Sequence, residues 1–255
     1  MAGNSKIGWT THTVNFWTGC NKVSAECANC YIARPMRRRG LEPFDGPIRT
    51  APSTWKTAYQ FNREAIATGN TVRIFTCSMS DFFHDGADEW RDDAWQVIRE
   101  CDRVSWQILT KRPDRIMECL PSDWGDGWPH VWLGVTAGCR DSFWRLDELA
   151  KIPAACRFIS AEPLLEQLDL RPYLADYQWV ITGCERAARD KRRQMDLDWV
   201  REIDRQCREA GVAHYFKQYY ATRNGKEFGN PAEDCVLDGR VIAEYPRIHP
   251  LGEPS

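Results

Sequence analysis

Apolar positions along this chain come in short bursts, not in long runs. Seven bursts, at residues 13–17, 72–76, 105–109, 131–136, 157–159, 179–181 and 214–216, are rich in β-branched and aromatic side chains, as buried strands are. Between them the apolar spacing turns helical. Residues 53–67 read as a helix capped by Ser53 and ended by Gly69. Residues 88–101 put Trp90, Ala94, Val97, Ile98 and Cys101 on one face. A third helix starts near Asp141 and carries Leu146 and Leu149. Residues 196–210 repeat Trp199, Val200, Ile203, Cys207 and Ala210 ahead of Gly211, a good left-handed stop. Strands alternating with helices predict βαβ units around a parallel sheet. Six or seven such units in 255 residues predict an α/β fold, a partial TIM-type (β/α) barrel of about six strands over residues 1–220. Residues 221–255 form a C-terminal extension, in which the Asp238-Gly239 turn predicts a β-hairpin over 235–242 that closes one end of the barrel.

Each burst ends in polar residues. In chain order these are Ser78, Ser80 and Asp81, then Thr110, Lys111 and Arg112, then Thr136, Ser160 with Glu162, Thr182 with Glu185, and Lys217 with Gln218. One such cluster is a helix cap. Six in succession at strand ends predict a shared pocket, because barrels of this kind carry their chemistry there.

Composition narrows the setting. Lys and Arg total 34 against 36 Asp and Glu, and charged residues make up 27%, as in an ordinary water-soluble protein. No apolar run is long enough to span a bilayer, and the first ten residues lack a basic segment followed by an apolar one. The 11 cysteines are an odd number, which argues against a secreted disulfide framework and for a reducing cytoplasm.

Three of those cysteines stand apart. Cys20, Cys27 and Cys30 form a C-x6-C-x2-C pattern directly after the first burst. Three thiolates can converge on one metal centre, one short of the four that close a structural zinc or iron–sulfur site. An iron–sulfur cluster held this way leaves one iron open to a small molecule. Structural zinc needs a fourth ligand, for which His12 is the nearest candidate. A zinc deaminase is excluded, since no histidine starts an H-x-E motif and Glu26, not proline, precedes Cys27. A redox pair at Cys27 and Cys30 leaves Cys20 unexplained. The other eight cysteines sit mostly in apolar runs and read as small core residues.

The stretch from Trp17-Thr18-Gly19-Cys20 to Cys27-Ala28-Asn29-Cys30-Tyr31 resembles the signature of a phage-associated three-cysteine family, itself similar to a divergent radical SAM branch. Ser78-Met79-Ser80-Asp81-Phe82-Phe83, Leu109-Thr110-Lys111-Arg112-Pro113, Trp132-Leu133-Gly134-Val135, Ser160-Ala161-Glu162-Pro163-Leu164-Leu165 and Phe216-Lys217-Gln218 carry the resemblance across residues 7–245. The usual radical SAM spacing is C-x3-C-x2-C with an aromatic residue before the last cysteine; here Asn29 stands there. The family tends to carry Gly-Gly-Glu-Ser-Gly after the sixth strand, and this chain has Gly183-Cys184-Glu185-Arg186-Ala187, a change that suggests a specialised substrate.

The resemblance implies that Cys20, Cys27 and Cys30 hold a [4Fe-4S] cluster whose fourth iron chelates S-adenosyl-L-methionine. An external electron donor such as flavodoxin, or a chemical reductant, then releases a 5′-deoxyadenosyl radical. Ser78 and Ser80 are placed for the methionine amino group, Lys111 for its carboxylate, and Glu162 or Glu185 for the ribose hydroxyls. Two basic clusters flank the expected mouth. One holds Arg37 and Arg38, the other Arg189, Arg192 and Arg193, and both suit nucleic-acid phosphates. The implied enzyme works in the host cytoplasm on modified phage DNA, rearranging an amino-acid substituent of thymidine from nitrogen to carbon linkage. Radical SAM chemistry on a tRNA or a small molecule is the nearer alternative. A zinc-stabilised nucleic-acid-binding protein without catalysis is the farther one.

Overall fold

The computed structural model describes residues 5–220, 222–223, 226–227 and 234–248. Its strands are β1 (His12–Val14), β2 (Trp17–Thr18), β3 (Ile48–Arg49), β4 (Arg73–Thr76), β5 (Ser105–Thr110), β6 (Val131–Thr136), β7 (Cys156–Ala161), β8 (Trp179–Gly183), β9 (Ala213–Gln218), β10 (Thr222–Arg223), β11 (Lys226–Glu227), β12 (Val236–Leu237) and β13 (Arg240–Val241). Its helices are α1 (Ala33–Arg37), α2 (Pro52–Thr68), α3 (Asp88–Glu100), α4 (Ile116–Cys119), α5 (Trp144–Ala150) and α6 (Leu197–Ala210).

Seven strands form one parallel sheet in the order β1-β4-β5-β6-β7-β8-β9. The order never reverses, which separates this sheet from a doubly wound nucleotide-binding one. The sheet curls into a half-barrel, with one strand more than the six expected. Each strand presents alternate residues to two different cores. Val14, Ile74, Ile108, Leu133, Ile159, Val180 and Phe216 pack outward in the large cluster that holds the helices. Phe75, Trp132, Phe158, Trp179 and Tyr215 pack inward with Trp9.

The inner row changes character along the strands. Near the start it is aromatic: Phe75, Trp132, Phe158 and Trp179. Two to four residues further on it becomes polar and lines a pocket, through Lys111, Thr136, Ser160, Glu162 and Lys217. Gly134 lies between the two zones. A Cβ there would sit 2.3 Å from the Phe158 ring, so only glycine lets that ring pack over β6 beneath the polar layer.

Several boundaries differ from expectation. The first burst splits: His12–Val14 stays in the sheet, while Trp17–Thr18 pairs with Ile48–Arg49 in an antiparallel ribbon. The chain peels away at Asn15, whose side-chain oxygen accepts from the Met79 N–H at 2.8 Å. Ser53 is not a cap. The helix starts at Pro52 behind Ala51, with proline pre-set for a first turn. On α3, Arg91 replaces Trp90 in the fully buried stripe and donates to the Phe82 carbonyl at 3.1 Å. Asp196 caps α6 and Gly211 ends it in the left-handed region.

The hairpin forms around Asp238 and Gly239, both at positive φ. The strand of chain after it runs antiparallel to β9, bridging Ala243 to Tyr215, with Phe216 donating to the Ile242 carbonyl at 2.9 Å. It covers the free edge of the sheet and adds Tyr245 and Ile248 to the inner cluster. Parts of the 221–255 extension lie outside the described residues.

Candidate functional site

The strand-end clusters share a pocket except for Thr182, which bonds to His214, and Gln218, which donates to the Cys184 carbonyl. Its walls include Cys20, Cys27 and Cys30 from the loop after β2, Ser78 and Ser80 after β4, Lys111 and Arg112 after β5, and Thr136, Ser160, Glu162, Glu185 and Lys217. Trp9, Phe75 and Leu109 lie on its floor. The cavity measures about 170 Å³, room for a small ring.

The cysteine loop is positioned by ties from several elements. At its start, Gly19 has φ +94, and a Cβ would meet the Gly46 carbonyl oxygen at 2.3 Å. Its N–H donates to the Met79 carbonyl at 3.0 Å, and the Ser80 hydroxyl donates to the Gly19 carbonyl. Asp81, which is buried, accepts from Thr110 Oγ1 at 2.6 Å and from the Lys111 N–H at 2.9 Å. It also pairs with Arg112 at 3.3 Å. Arg112 in turn reaches the Cys20 sulfur at 3.7 Å.

Two carboxylates hold the rest of the loop. Glu26, wholly buried, meets Arg145 of α5 at 3.3 Å and accepts from the Ser142 hydroxyl. Burial alone would raise its pKa, but hydrogen bonds from Ser142 and Ser24 and the Arg145 charge outweigh that and hold it at about 2. Glu185 accepts from Asn29 Nδ2 at 3.0 Å and from the Arg193 N–H at 2.8 Å, and it forms an ion pair with the Arg193 guanidinium. Asn29 also donates to the Lys191 carbonyl at 2.7 Å. It lies in the C-x2-C segment, so this contact fastens the cysteine loop to the 186–193 loop.

The three thiols are electrostatically distinct. Burial and the Asp81 charge push Cys20 up to about 11, against the opposing pull of Arg112. Burial also raises Cys30. For Cys27 burial is outweighed by the Lys111 charge and by hydrogen bonds from the Val23 and Ser24 backbone and the Ser24 hydroxyl, so its pKa is lowered. It is the thiol most ready to act as a thiolate ligand.

The donors fit an iron–sulfur cluster in kind, since three thiols on one loop line one polar pocket. Among the described residues, however, no three His, Cys, Asp or Glu side chains already stand together as a metal site. His12 supplies no fourth ligand here: its ring stacks on Phe61 of α2 at 3.8 Å, and it is not among the pocket walls. Cys77 and Cys184, read from the sequence as bystanders, do line the pocket.

The remaining site residues fall into two groups. Lys111 faces the cavity and reaches Thr136 Oγ1 at 3.2 Å. Ser78 exchanges hydrogen bonds with the Asn15 amide at 3.2 Å. Glu162 is paired with Lys217 and accepts from Gln218 Nε2 at 3.2 Å. Among the basic residues, Arg193 is committed to Glu185 and Arg192 packs over the Tyr220 ring at 3.5 Å. Arg38 and Arg189 are exposed, and Arg37 is exposed beside Glu42 at 3.7 Å. The residues that sequence reasoning missed are Glu26, Arg145 and Asn29. A glutamate one residue before a candidate ligand was the available signal.

No curated protein and no solved structure matches the chain. A family model described as "Protein of unknown function (DUF5131)" matches residues 4–246. The chain therefore belongs to the DUF5131 family.

Proposed function

We propose that this chain is a radical SAM-type enzyme built on a partial TIM-type barrel. The observation that carries the reading is the convergence of Cys20, Cys27 and Cys30 on the pocket that the polar strand ends line. In this reading the three thiolates hold a [4Fe-4S] cluster, with Cys27 already biased toward the thiolate by Lys111. When bound and reduced, the cluster supplies the electron that cleaves S-adenosyl-L-methionine and yields a carbon-centred 5′-deoxyadenosyl radical.

The protein's own part is positional. The Lys111 ammonium, beside Thr136 on the cavity wall, is placed to meet a carboxylate. Glu162, on the same wall, offers acceptor oxygens to hydroxyl groups while Lys217 balances its charge. Ser80 and Gly19 fix the cysteine loop, so Ser80 serves that loop more directly than it serves a ligand. Glu185 does the same from the other side. The aromatic floor keeps water and stray hydrogen donors away from a reactive carbon.

For the reactant, exposed Arg37, Arg38 and Arg189, in the segments that follow pocket-lining Cys30 and Glu185 on a nearly neutral chain, favour a nucleic acid. We take modified thymidine in phage DNA as the target, with a substituent moved from nitrogen to carbon attachment. Anaerobic reconstitution tests the reading. The expected outcome is a brown protein with about four irons per chain, by the composition of such a cluster, that forms 5′-deoxyadenosine when given reductant and S-adenosyl-L-methionine. Cys27→Ala should abolish both. A colourless protein carrying one zinc would overturn the reading in favour of a structural metal.

A further inference from the structure

Among the described residues, three that line the cavity, Trp9, Glu26 and Ser160, carry a buried polar atom without a hydrogen-bond partner, and of these Glu26 is already paired with Arg145. Trp9 is 2% exposed and Ser160 1% exposed. Both line the pocket, yet Trp9 Nε1 and Ser160 Oγ are buried without a hydrogen bond. A buried donor left unpaired costs about 1–3 kcal/mol. Trp9 and Ser160, both lining one cavity, mark a place where a ligand completes the set. Phe158, two residues before Ser160 on the same inner row, has its ring 6.4 Å from that of Trp9.

The surroundings define the ligand. Indole Nε1 can only donate, so the ligand brings an acceptor such as a carbonyl oxygen or a ring nitrogen. Ile7, Phe75 and Leu109 complete the floor, and an apolar floor rejects an unpaired charge. Trp9 and Phe75 lie tilted at 4.6 Å, which gives flat walls suited to a ring. One layer up, Lys111, Glu162 and Lys217 suit charged or hydroxylated parts. We infer that the cavity floor is a binding site for a neutral heterocyclic ring of the reactant, held by Trp9 Nε1 and Ser160 Oγ. This rests on the proposed function in one respect: S-adenosyl-L-methionine takes the thiol side of the cavity, which leaves the floor to the reactant.

The test needs neither iron nor an electron. The full chain carrying ¹⁵N-labelled indoles is titrated with thymidine, uridine, adenosine and ribose 5-phosphate. Trp9→Phe identifies the Trp9 N–H resonance. Thymidine or uridine should move that resonance, and ribose 5-phosphate should not. Ser160→Ala should weaken nucleoside binding about tenfold, the worth of one buried hydrogen bond, without lowering the melting temperature, because the lost hydroxyl has no protein partner. The inference is overturned if no nucleoside moves the resonance, if only adenosine does, or if Ser160→Ala lowers the melting temperature. Formation of 5′-deoxyadenosine, read separately on the reconstituted enzyme, would stand or fall independently of this result.

Discussion

The cysteine loop is fastened by two carboxylate–arginine pairs with similar chemistry and opposite surroundings. Inside, Glu26 and Arg145 have side-chain exposures of 0% and 2%. At the mouth, Glu185 is equally buried at 4% but Arg193 is 34% exposed. The inner pair joins the loop to α5 and, through Arg145, to the Thr136 carbonyl at 2.9 Å. It sits within the core. The outer pair joins the loop to the 186–193 segment, which has no helix or strand of its own. A buried pair cannot exchange partners without stranding a charge. A pair with one wet partner can. The inner anchor therefore sets where the thiols are, and the outer one sets how firmly the mouth is held over them.

The largest test of that division is to break the inner pair. Glu26→Gln leaves the Arg145 charge buried and unbalanced, which should cost about 3–5 kcal/mol, read as a fall in the urea midpoint. Changing both residues to methionine should cost less than either single change. Equal losses in the single and double variants would show that the pair acts only through packing. Acid offers a second view. The Glu26 carboxyl is held at about 2, below its unfolded value. Its contribution is thus fully present above the ordinary carboxylate range and is lost as pH falls through about 2. The stability gap between wild type and Glu26→Gln should narrow steadily from pH 5 toward pH 2. A constant gap would contradict the charge argument.

Next in size is Gly19→Ala. The residue has φ +94 and no space for a Cβ beside the Gly46 oxygen. A strained backbone of this kind costs roughly 1–3 kcal/mol. Because Gly19 precedes Cys20, reconstituted iron content should also fall. Full iron loading with lowered stability would show that the strain relaxes away from the thiols.

These ties also explain what was legible beforehand. Strand positions follow from local apolar bursts, and the cysteine triplet is contiguous, so both could be read directly. The inner row was partly readable too: Leu109 then Lys111, Phe158 then Ser160 then Glu162, and Tyr215 then Lys217 all follow the two-residue period of a strand. The anchors were not readable. Asn29 and Glu185 are 156 residues apart, and Glu26 and Arg145 are 119 apart. Pairings that distant arise from the way the sheet curls, and no local period records them. For the same reason Arg193 looked like a free phosphate ligand until the fold placed Glu185 under it.

The smallest expected effects concern the outer pair. Glu185→Gln keeps one oxygen acceptor for Asn29 and the Arg193 N–H, and removes both the charge and the second acceptor that hold the Arg193 guanidinium. A hydrogen bond to a charged group is worth about 1.5–3 kcal/mol when dry, and the wet side of Arg193 should reduce this to about 1 kcal/mol or less. Global stability should scarcely move, while amide hydrogen exchange in residues 186–193 should speed up. Salt should act like a weak form of this substitution. At about 0.5 M salt, charges are screened within a few ångströms at exposed sites. Raising salt should therefore speed exchange in 186–193 and leave the Glu26 and Arg145 region unchanged. If both regions respond alike, the outer carboxylate is as permanent as the inner one, and the mouth is a fixed wall of the site.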